Sequence, residues 1–291
     1  MVLPKFEYLA PKTLGEANSL ASELGKGCMV MAGGTDIIVL MKDHVIAPEY
    51  IIDLKQIEGL DYLDYNPETG LKIGALTTLR TIERSTLVKE KYAAVSDAAH
   101  YVASTQVRCK GTIAGNLCNA SPSADTAPIL LAMGAKLKIT GADHEYVLSI
   151  GEFFKGPKKT ALEQGEIVTE VQVPALGENT YAAYIKHAYR KAMDLAIVGV
   201  AAVLIVKNGI CTDARIALGA VAATPIRSPK AEAVLIGQKI TDALIAKAGV
   251  AASEDCKPIS DVRASAEYRK DMIRVFTVRS IKKALESQKR G

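Results

Sequence analysis

The spacing of apolar and polar residues predicts a chain that mixes helices and strands. Residues 13–25 begin with a capping threonine, carry apolar side chains three and four positions apart and end at Gly25, which predicts an amphipathic helix. Apolar runs at 28–32 and 50–54 predict short strands on either side of a further apolar run at 37–41. Up to residue 176 the pattern also predicts strands at 71–75, 136–140 and 167–173, helices at 78–85 and 87–99, and a loop at 153–166, while residues 103–128 are dense in small and polar side chains.

Longer strands and then helices are predicted in the last third of the chain. Asn208-Gly209 is a strong hairpin signal between two of these strands. The uncharged apolar run at 195–206 is shorter than the roughly twenty residues that a membrane helix needs, so it predicts a buried element. The predicted strands are 181–189, 196–206 and 214–221, and the predicted helices are 229–236, 241–253 and 266–287.

These elements predict an α+β fold with two domains. Residues 1–176 hold 17 basic and 21 acidic side chains, a net charge of −4, whereas residues 177–291 hold 19 and 11, a net charge of +8. Because the charge changes there, the domain boundary is predicted at 176/177. The first domain divides into lobes at about 1–56 and 57–176, and residues 177–291 form a three-strand, three-helix domain.

Composition narrows the class of protein. The chain has 291 residues, of which 49% are apolar and 23% charged, as in globular proteins. Five scattered cysteines without a C-x-x-C pair argue against a disulfide framework, a structural zinc or an iron–sulfur cluster in this chain, and favour a cytoplasmic location. We expect no secretory signal and no membrane span. Aromatic residues make up only 5%, which argues against nucleic acid as a partner.

A pair of glycines follows the predicted strand at 28–32. Such a turn can point its peptide N–H groups at a ligand, an arrangement that suits a pyrophosphate. It matches neither the dinucleotide fingerprint G-x-G-x-x-G nor a phosphate loop ending in Gly-Lys-Ser/Thr, and a plain tight turn explains it equally well. The segment consists of Val30, Met31, Ala32, Gly33, Gly34, Thr35, Asp36 and Ile37.

Residues 111–128 form a second unusual segment, rich in small and hydroxyl side chains and free of Lys, Arg and Glu. Small side chains allow a ligand to lie on the backbone, while Thr112, Asn116, Asn119 and Asp125 offer polar atoms. A long structural loop is the alternative, although loops of this length inside compact domains are usually functional.

A third group consists of Lys186, Arg190 and Asp194, spaced four residues apart. Either these residues form a salt-bridged surface, or a cation reaches towards an anionic cofactor.

The three segments, in this order, resemble the FAD-binding subunit of the molybdenum hydroxylases, a family that includes xanthine dehydrogenase and carbon monoxide dehydrogenase. Ala-Gly-Gly-Thr-Asp at 32–36, the sequence at 111–128 and Lys-x-x-x-Arg-x-x-x-Asp at 186–194 carry the resemblance, and residues 217–227 extend it. It implies a two-lobed FAD-binding domain of the vanillyl-alcohol-oxidase (PCMH) type, followed by a small C-terminal flavoprotein domain.

The resemblance also implies a set of FAD-binding residues, with no catalytic side chain and no metal ligand. Residues 30–37 would surround the diphosphate through their amides, while Ile167 or Val168 would touch the isoalloxazine. Leu195 would wall one face of the ring. The remaining positions are Thr112, Gly115 and Asn116 along the diphosphate and ribityl chain, Asn119 and Asp125 at flavin or ribityl polar atoms, and Lys186 near the flavin ring.

As a function, the resemblance implies electron transfer within a multi-subunit enzyme. A large molybdopterin subunit would hydroxylate the substrate, and a small subunit with two [2Fe–2S] clusters would pass the electrons to FAD in this chain. A soluble acceptor such as NAD(P)⁺ or a quinone would then receive them. The expected assembly is a dimer of heterotrimers.

Two departures and two alternatives accompany this interpretation. Ala114 stands where glycine is commoner in the family, and the chain lacks the cysteine-rich insertion that holds a [4Fe–4S] cluster in one branch. The alternatives are a self-contained flavin oxidase of the same cofactor fold and a non-redox nucleotide-binding regulator.

Overall fold

The computed structural model describes residues 2–286 as three main sheets with helices packed between and around them. The helices are α1 (Leu14–Glu23), α2 (Ile37–Lys42), α3 (Leu79–Arg84), α4 (Thr86–Lys91), α5 (Ala93–Tyr101), α6 (Thr105–Arg108), α7 (Ile113–Cys118), α8 (Thr126–Met133), α9 (Ile150–Phe153), α10 (Pro229–Leu235), α11 (Asp242–Asp255) and α12 (Ala266–Glu286). The strands are β1 (Glu7–Leu9), β2 (Cys28–Met31), β3 (Tyr50–Asp53), β4 (Leu63–Asn66), β5 (Gly70–Gly74), β6 (Lys136–Thr140), β7 (Glu145–Ser149), β8 (Phe154–Gly156), β9 (Lys159–Thr160), β10 (Ile167–Val173), β11 (Thr180–His187), β12 (Val198–Lys207), β13 (Ile210–Gly219) and β14 (Ile226–Arg227).

The first sheet is small and parallel, in the order β1-β3-β2. Helix α1 precedes it and begins where the hydroxyl oxygen of Thr13 accepts a hydrogen bond from the Glu16 N–H at 3.2 Å, as the capping pattern predicted. Ala17 and Ala21 of this helix are buried with Ile52 of β3. The chain leaves β2 at its carboxyl end, the side where parallel sheets commonly bind ligands.

The second sheet is antiparallel, in the order β4-β5-β10-β6-β7. Its central strand β10 is buried along nearly all of its length. Helices α3, α5, α7 and α8 bury apolar side chains in the same core as this sheet. The sheet and these helices place the segment before α7 next to the end of β2.

The third sheet, β11-β12-β13-β14, is covered on both faces. Val200 and Ala202 of β12 belong to a core with the C-terminal helices, whereas Ala201 and Val203 belong to the core with α5 and α8. A strand buried on both faces reads as a continuous apolar run rather than as an alternation. This explains the uncharged run at 195–206 and confirms that residues 196–204 of it are buried, whereas Leu195 is exposed.

Several predicted elements differ from the observed ones. Residues 103–128, for which no helix was predicted, contain α6 and α7 and the start of α8, while α4 and α5 replace the single helix predicted at 87–99. Helices of four and six residues are too short to show an apolar period, although Ser104 and Thr112 cap α6 and α7 with their hydroxyls.

In the C-terminal third, the short strand β14 makes four strands where three were predicted. The predicted loop at 153–166 contains the hairpin of β8 and β9. Residues 287–291, with the predicted helix end at Ser287, lie outside the described residues. Among residues 2–286, no helix has both the length and the apolar composition that a membrane crossing requires.

Candidate cofactor-binding cleft

The first glycine loop, residues 32–36, joins β2 to α2. Gly34 has a φ of +74°, a left-handed conformation that favours glycine. In the described part of the chain, the five consecutive peptide N–H groups from Gly33 to Ile37 have no protein acceptor. Met31 and Ile37 at the two ends of the loop bury their side chains in the apolar core. The loop therefore leaves a run of backbone donors without protein partners, which favours a nest over the plain tight turn that the sequence left equally open.

The second glycine loop, residues 109–112, is held against the start of α3. The Leu79 N–H donates to the Gly111 carbonyl at 2.9 Å, and the Ile113 N–H donates to the Thr77 carbonyl at 3.2 Å. The Thr112 hydroxyl oxygen accepts a hydrogen bond from the Gly115 N–H at 3.0 Å. These contacts fix the conformation of the loop at the entry to α7.

The two glycine loops touch each other. A Cβ on Gly33 would overlap the carbonyl oxygen of Lys110 and lie 2.9 Å from the Cα of Gly111, so only glycine permits this approach. A Cβ on Gly115 would lie 3.9 Å from the Cβ of Ala32. The approach of two glycine-rich backbones, one with a run of free N–H donors, fits the diphosphate of a dinucleotide.

Three polar side chains link the rim of this cleft. The Asn119 amide donates from Nδ2 to Oδ1 of Asp36 at 2.8 Å, and Lys158 Nζ donates to Oδ1 of Asn119 at 2.6 Å. The Lys158 N–H also donates to the Ala120 carbonyl at 3.0 Å. The structure thus brings the predicted residues Asn119 and Asp36 together across the two motifs. Sequence reasoning missed Lys158, because it lies in a lysine-rich segment that gives no signal of this contact.

Asp125 and Lys186 form a buried ion pair. Lys186 Nζ donates to Oδ2 of Asp125 at 2.8 Å and to the Tyr101 carbonyl at 3.1 Å, while the Tyr184 hydroxyl donates to Oδ1 of Asp125 at 2.9 Å. Both charged side chains are only 7% exposed. Burial raises the pKa of Asp125 to about 6, although Lys186 and Tyr184 act in the opposite direction. Both carboxylate oxygens therefore already have protein partners.

The structure separates Lys186 from the other members of its motif. Arg190 and Asp194 lie in the loop after β11, where the Arg190 N–H donates to Oδ2 of Asp194 at 3.1 Å. The Arg190 side chain is exposed, and its Nε lies 3.9 Å from the same oxygen. These two residues fit the interpretation as a salt-bridged surface, whereas Lys186 lies in the interior.

The remaining predicted positions differ in accessibility. Asn116 is half-buried and accepts a hydrogen bond from the Thr126 hydroxyl at 2.5 Å. Ile167 and Val168 are each only 3% exposed and give their side chains to two apolar cores, while Leu195 is about half exposed. Contact of Ile167 or Val168 with the isoalloxazine stays a prediction, as does the wall formed by Leu195.

Comparison with known proteins assigns both parts of the chain. A family described as the FAD binding domain in molybdopterin dehydrogenase matches residues 4–176, and one described as the CO dehydrogenase flavoprotein C-terminal domain matches residues 183–284. The glyceraldehyde dehydrogenase medium chain of Sulfolobus acidocaldarius is 32% identical over 97% of this chain and 99% of its own length. The xanthine dehydrogenase FAD-binding subunit of Escherichia coli O157:H7 is 30% identical over 96% of this chain and 95% of its own length.

Solved structures show the same fold. Carbon monoxide dehydrogenase from Hydrogenophaga pseudoflava, in a form that lacks the Mo-pyranopterin moiety of its molybdenum cofactor, contains a chain with a TM-score of 0.95 and 33% identity, covering 98% of this chain and 99% of that one. Quinoline 2-oxidoreductase from Pseudomonas putida 86 gives a TM-score of 0.93 at 28% identity, covering 99% of both chains. These matches confirm the predicted fold class and favour the predicted family over the two alternatives. The chain belongs to the FAD-binding subunits of the molybdenum hydroxylase family and is an oxidoreductase subunit.

Proposed function

We propose that this chain binds FAD between its two glycine loops and transfers electrons from [2Fe–2S] clusters in a partner subunit to an external acceptor. The observation that carries the proposal is the run of five N–H groups, Gly33 to Ile37, that have no acceptor within residues 2–286 and lie opposite a second glycine loop. Backbone donors of this kind stabilise the negative charge of a diphosphate without the cost of ordering long cationic side chains. Bound FAD would supply the redox chemistry, since it exchanges electrons both with the [2Fe–2S] clusters and with the external acceptor.

The protein's own residues would bind and orient the cofactor. The peptide N–H groups of residues 33–37 hold the diphosphate, and Thr112, Gly115 and Asn116 line its other side and the ribityl chain. Asn119, fixed by Asp36 and Lys158, presents its amide group at the rim of the cleft.

Lys186 is proposed to lie near the flavin ring, and Asp125 to act there mainly through it. Their buried ion pair joins β11 to the start of α8, so it holds the Lys186 ammonium group in a defined position. The Asp125 side chain is only 7% exposed and both of its carboxylate oxygens are already hydrogen-bonded, so it is assigned a positioning role rather than a direct contact with the cofactor.

The partners are proposed from the relatives. Several relatives are medium chains, of glyceraldehyde dehydrogenase and of carbon monoxide dehydrogenase among others. We assign this chain the same place beside a large molybdopterin subunit and a small [2Fe–2S] subunit, in a dimer of heterotrimers in the cytoplasm. NAD(P)⁺ or a quinone is the proposed soluble acceptor. Within the chain, the proposed division into domains remains 1–176 and 177–291, with lobes at about 1–56 and 57–176.

A single added side chain tests the cofactor site. Gly115 lies in α7, where a Cβ would have ordinary space apart from a 3.1 Å approach to the Thr112 hydroxyl, and would face the first loop. The substitution Gly115→Leu should therefore fill the gap between the loops and lower the FAD content of the purified protein at least tenfold. FAD content is measured from flavin absorbance per protein.

The matched control is Gly15→Leu in α1. That glycine is also helical; it is exposed, whereas Gly115 is half-buried, and a Cβ there would meet no atom within 4 Å. The control should keep its FAD. Full FAD content in Gly115→Leu would refute the placement of the diphosphate between the loops.

A further inference from the structure

Arg108 is buried immediately before the second glycine loop and is fully engaged by hydrogen bonds. Its Nε donates to Oε2 of Glu83 at 2.9 Å, and its Nη1 donates to the Val102 carbonyl at 2.9 Å. Its Nη2 lies 3.4 Å from Oε1 of Glu83 and 3.3 Å from the Thr105 hydroxyl. The side chain is 6% exposed, and that of Glu83 is 12% exposed. A guanidinium engaged in this way fixes the backbone around it.

Glu83 lies in α3, the same helix whose start holds the second loop. Arg80 and His100 also contact its carboxylate, at 2.9 Å and 2.8 Å. The segment before α7 is thus attached to α3 at two places, through the Glu83–Arg108 pair and through the backbone hydrogen bonds of Gly111 and Ile113.

The residues between these two attachments meet the first loop. The Lys110 carbonyl lies where a Cβ on Gly33 would be, and a Cβ on Gly111 would lie 3.3 Å from the Thr35 hydroxyl. Any shift of residues 108–111 therefore moves the wall against which the free N–H groups of the first loop are aligned. Closely packed backbones transmit such shifts because they leave no space to absorb them.

We propose that Glu83 and Arg108 are positioning residues for the FAD diphosphate, which set the separation of the two glycine loops without touching the cofactor. This inference rests on the proposed function. Removing the charge of Glu83 leaves Arg108 with a weaker acceptor in a buried place, so the segment 108–111 relaxes away from the first loop. The cofactor then loses alignment of several backbone donors at once.

The test is Glu83→Gln in the full chain, purified with any subunits that accompany it. We expect its FAD dissociation constant to rise at least tenfold, and the visible circular dichroism of the bound flavin to change. The matched control is Glu232→Gln in α10, because the Glu232 carboxylate is also 12% exposed and holds an arginine, Arg227, at 2.6 Å. The control should lose thermal stability but keep the FAD dissociation constant and the flavin spectrum.

Each outcome decides the inference. Unchanged FAD affinity and spectrum in Glu83→Gln, or an equal change in Glu232→Gln, would overturn it. If Glu83→Gln does not fold, Arg108→Lys, which keeps the charge but loses the two-pronged contact, must weaken FAD binding for the inference to stand. Loss of FAD in Gly115→Leu together with tight binding in Glu83→Gln would reject only the positioning role. Retention of FAD in Gly115→Leu would instead reject the proposed site itself.

Discussion

At the scale of single residues, the contact between Lys186 and Asp125 could not be predicted from the sequence. The sequence pattern selected both as candidates near the cofactor, yet it gave no sign that they would pair, because 61 residues separate them. It did predict a turn at residues 33 and 34, since glycine is the residue that such a backbone requires, although it left open whether the N–H groups of that turn face a ligand. Local conformation could thus be predicted, whereas a contact between distant residues depended on how the third sheet packs.

Replacing Lys186 should destabilise the protein as well as affect the flavin. The substitution Lys186→Ala leaves the Asp125 carboxylate buried without its cation, and breaking a buried ion pair in this way costs about 3–5 kcal/mol of unfolding free energy. Chemical denaturation of the cofactor-free chain measures this loss.

The control for this prediction is the double variant Lys186→Met with Asp125→Asn, which removes both charges. It should recover a large part of the lost stability, because neither group is then left buried and unpaired. Wild-type stability in Lys186→Ala would show that the pair is not buried in solution.

At the scale of elements, α3 organises the cleft although it contributes no predicted site residue. The sequence predicted a helix at 78–85, which is confirmed as α3, but it predicted no helix within residues 103–128. The helices α6 and α7 in that segment have four and six residues, so their hydrophobic pattern cannot be distinguished from that of a loop. The sequence pattern indicates the Thr112 hydroxyl as a possible cofactor contact, and its role as the cap of α7 is visible only in the structure. The role of α3 depends on the Glu83–Arg108 contact across 25 residues, which no local pattern reveals.

The Glu83 cluster makes a prediction about pH. Burial alone would raise the pKa of Glu83, but hydrogen bonds from His100, Arg108 and Arg80 outweigh it and lower the pKa from 4.5 to about 2. A carboxyl group with a lowered pKa stabilises the folded state above its unfolded pKa, and that contribution is lost as the pH falls through the folded value. The stability difference between the wild type and Glu83→Gln should therefore be largest above about pH 5 and shrink towards about pH 2. A difference that stays constant over this range, measured by denaturation at each pH, would contradict the account of Glu83.

At the scale of the whole molecule, the third sheet joins the C-terminal helices to the core of the second sheet. Alternate residues of β12 belong to the two cores, and the Lys186–Asp125 pair crosses the same contact. Apart from the short strand β14, the order of strands and helices in this part could be predicted, because long apolar strands and an Asn-Gly turn are strong signals. The covering of both faces of the third sheet could not be predicted, since a buried strand and a buried helix share the same continuous apolar pattern. The family assignment supplies the cofactor, while the structure supplies the cleft in which we place it.

A crystal structure of the FAD-loaded protein tests the central claim most directly. The account predicts diphosphate oxygens at hydrogen-bonding distance, roughly 2.7–3.2 Å, from peptide nitrogens among residues 33–37, with Gly115 on the opposite side of the phosphates. A structure in which FAD is bound elsewhere, and these nitrogens face only solvent, would contradict it.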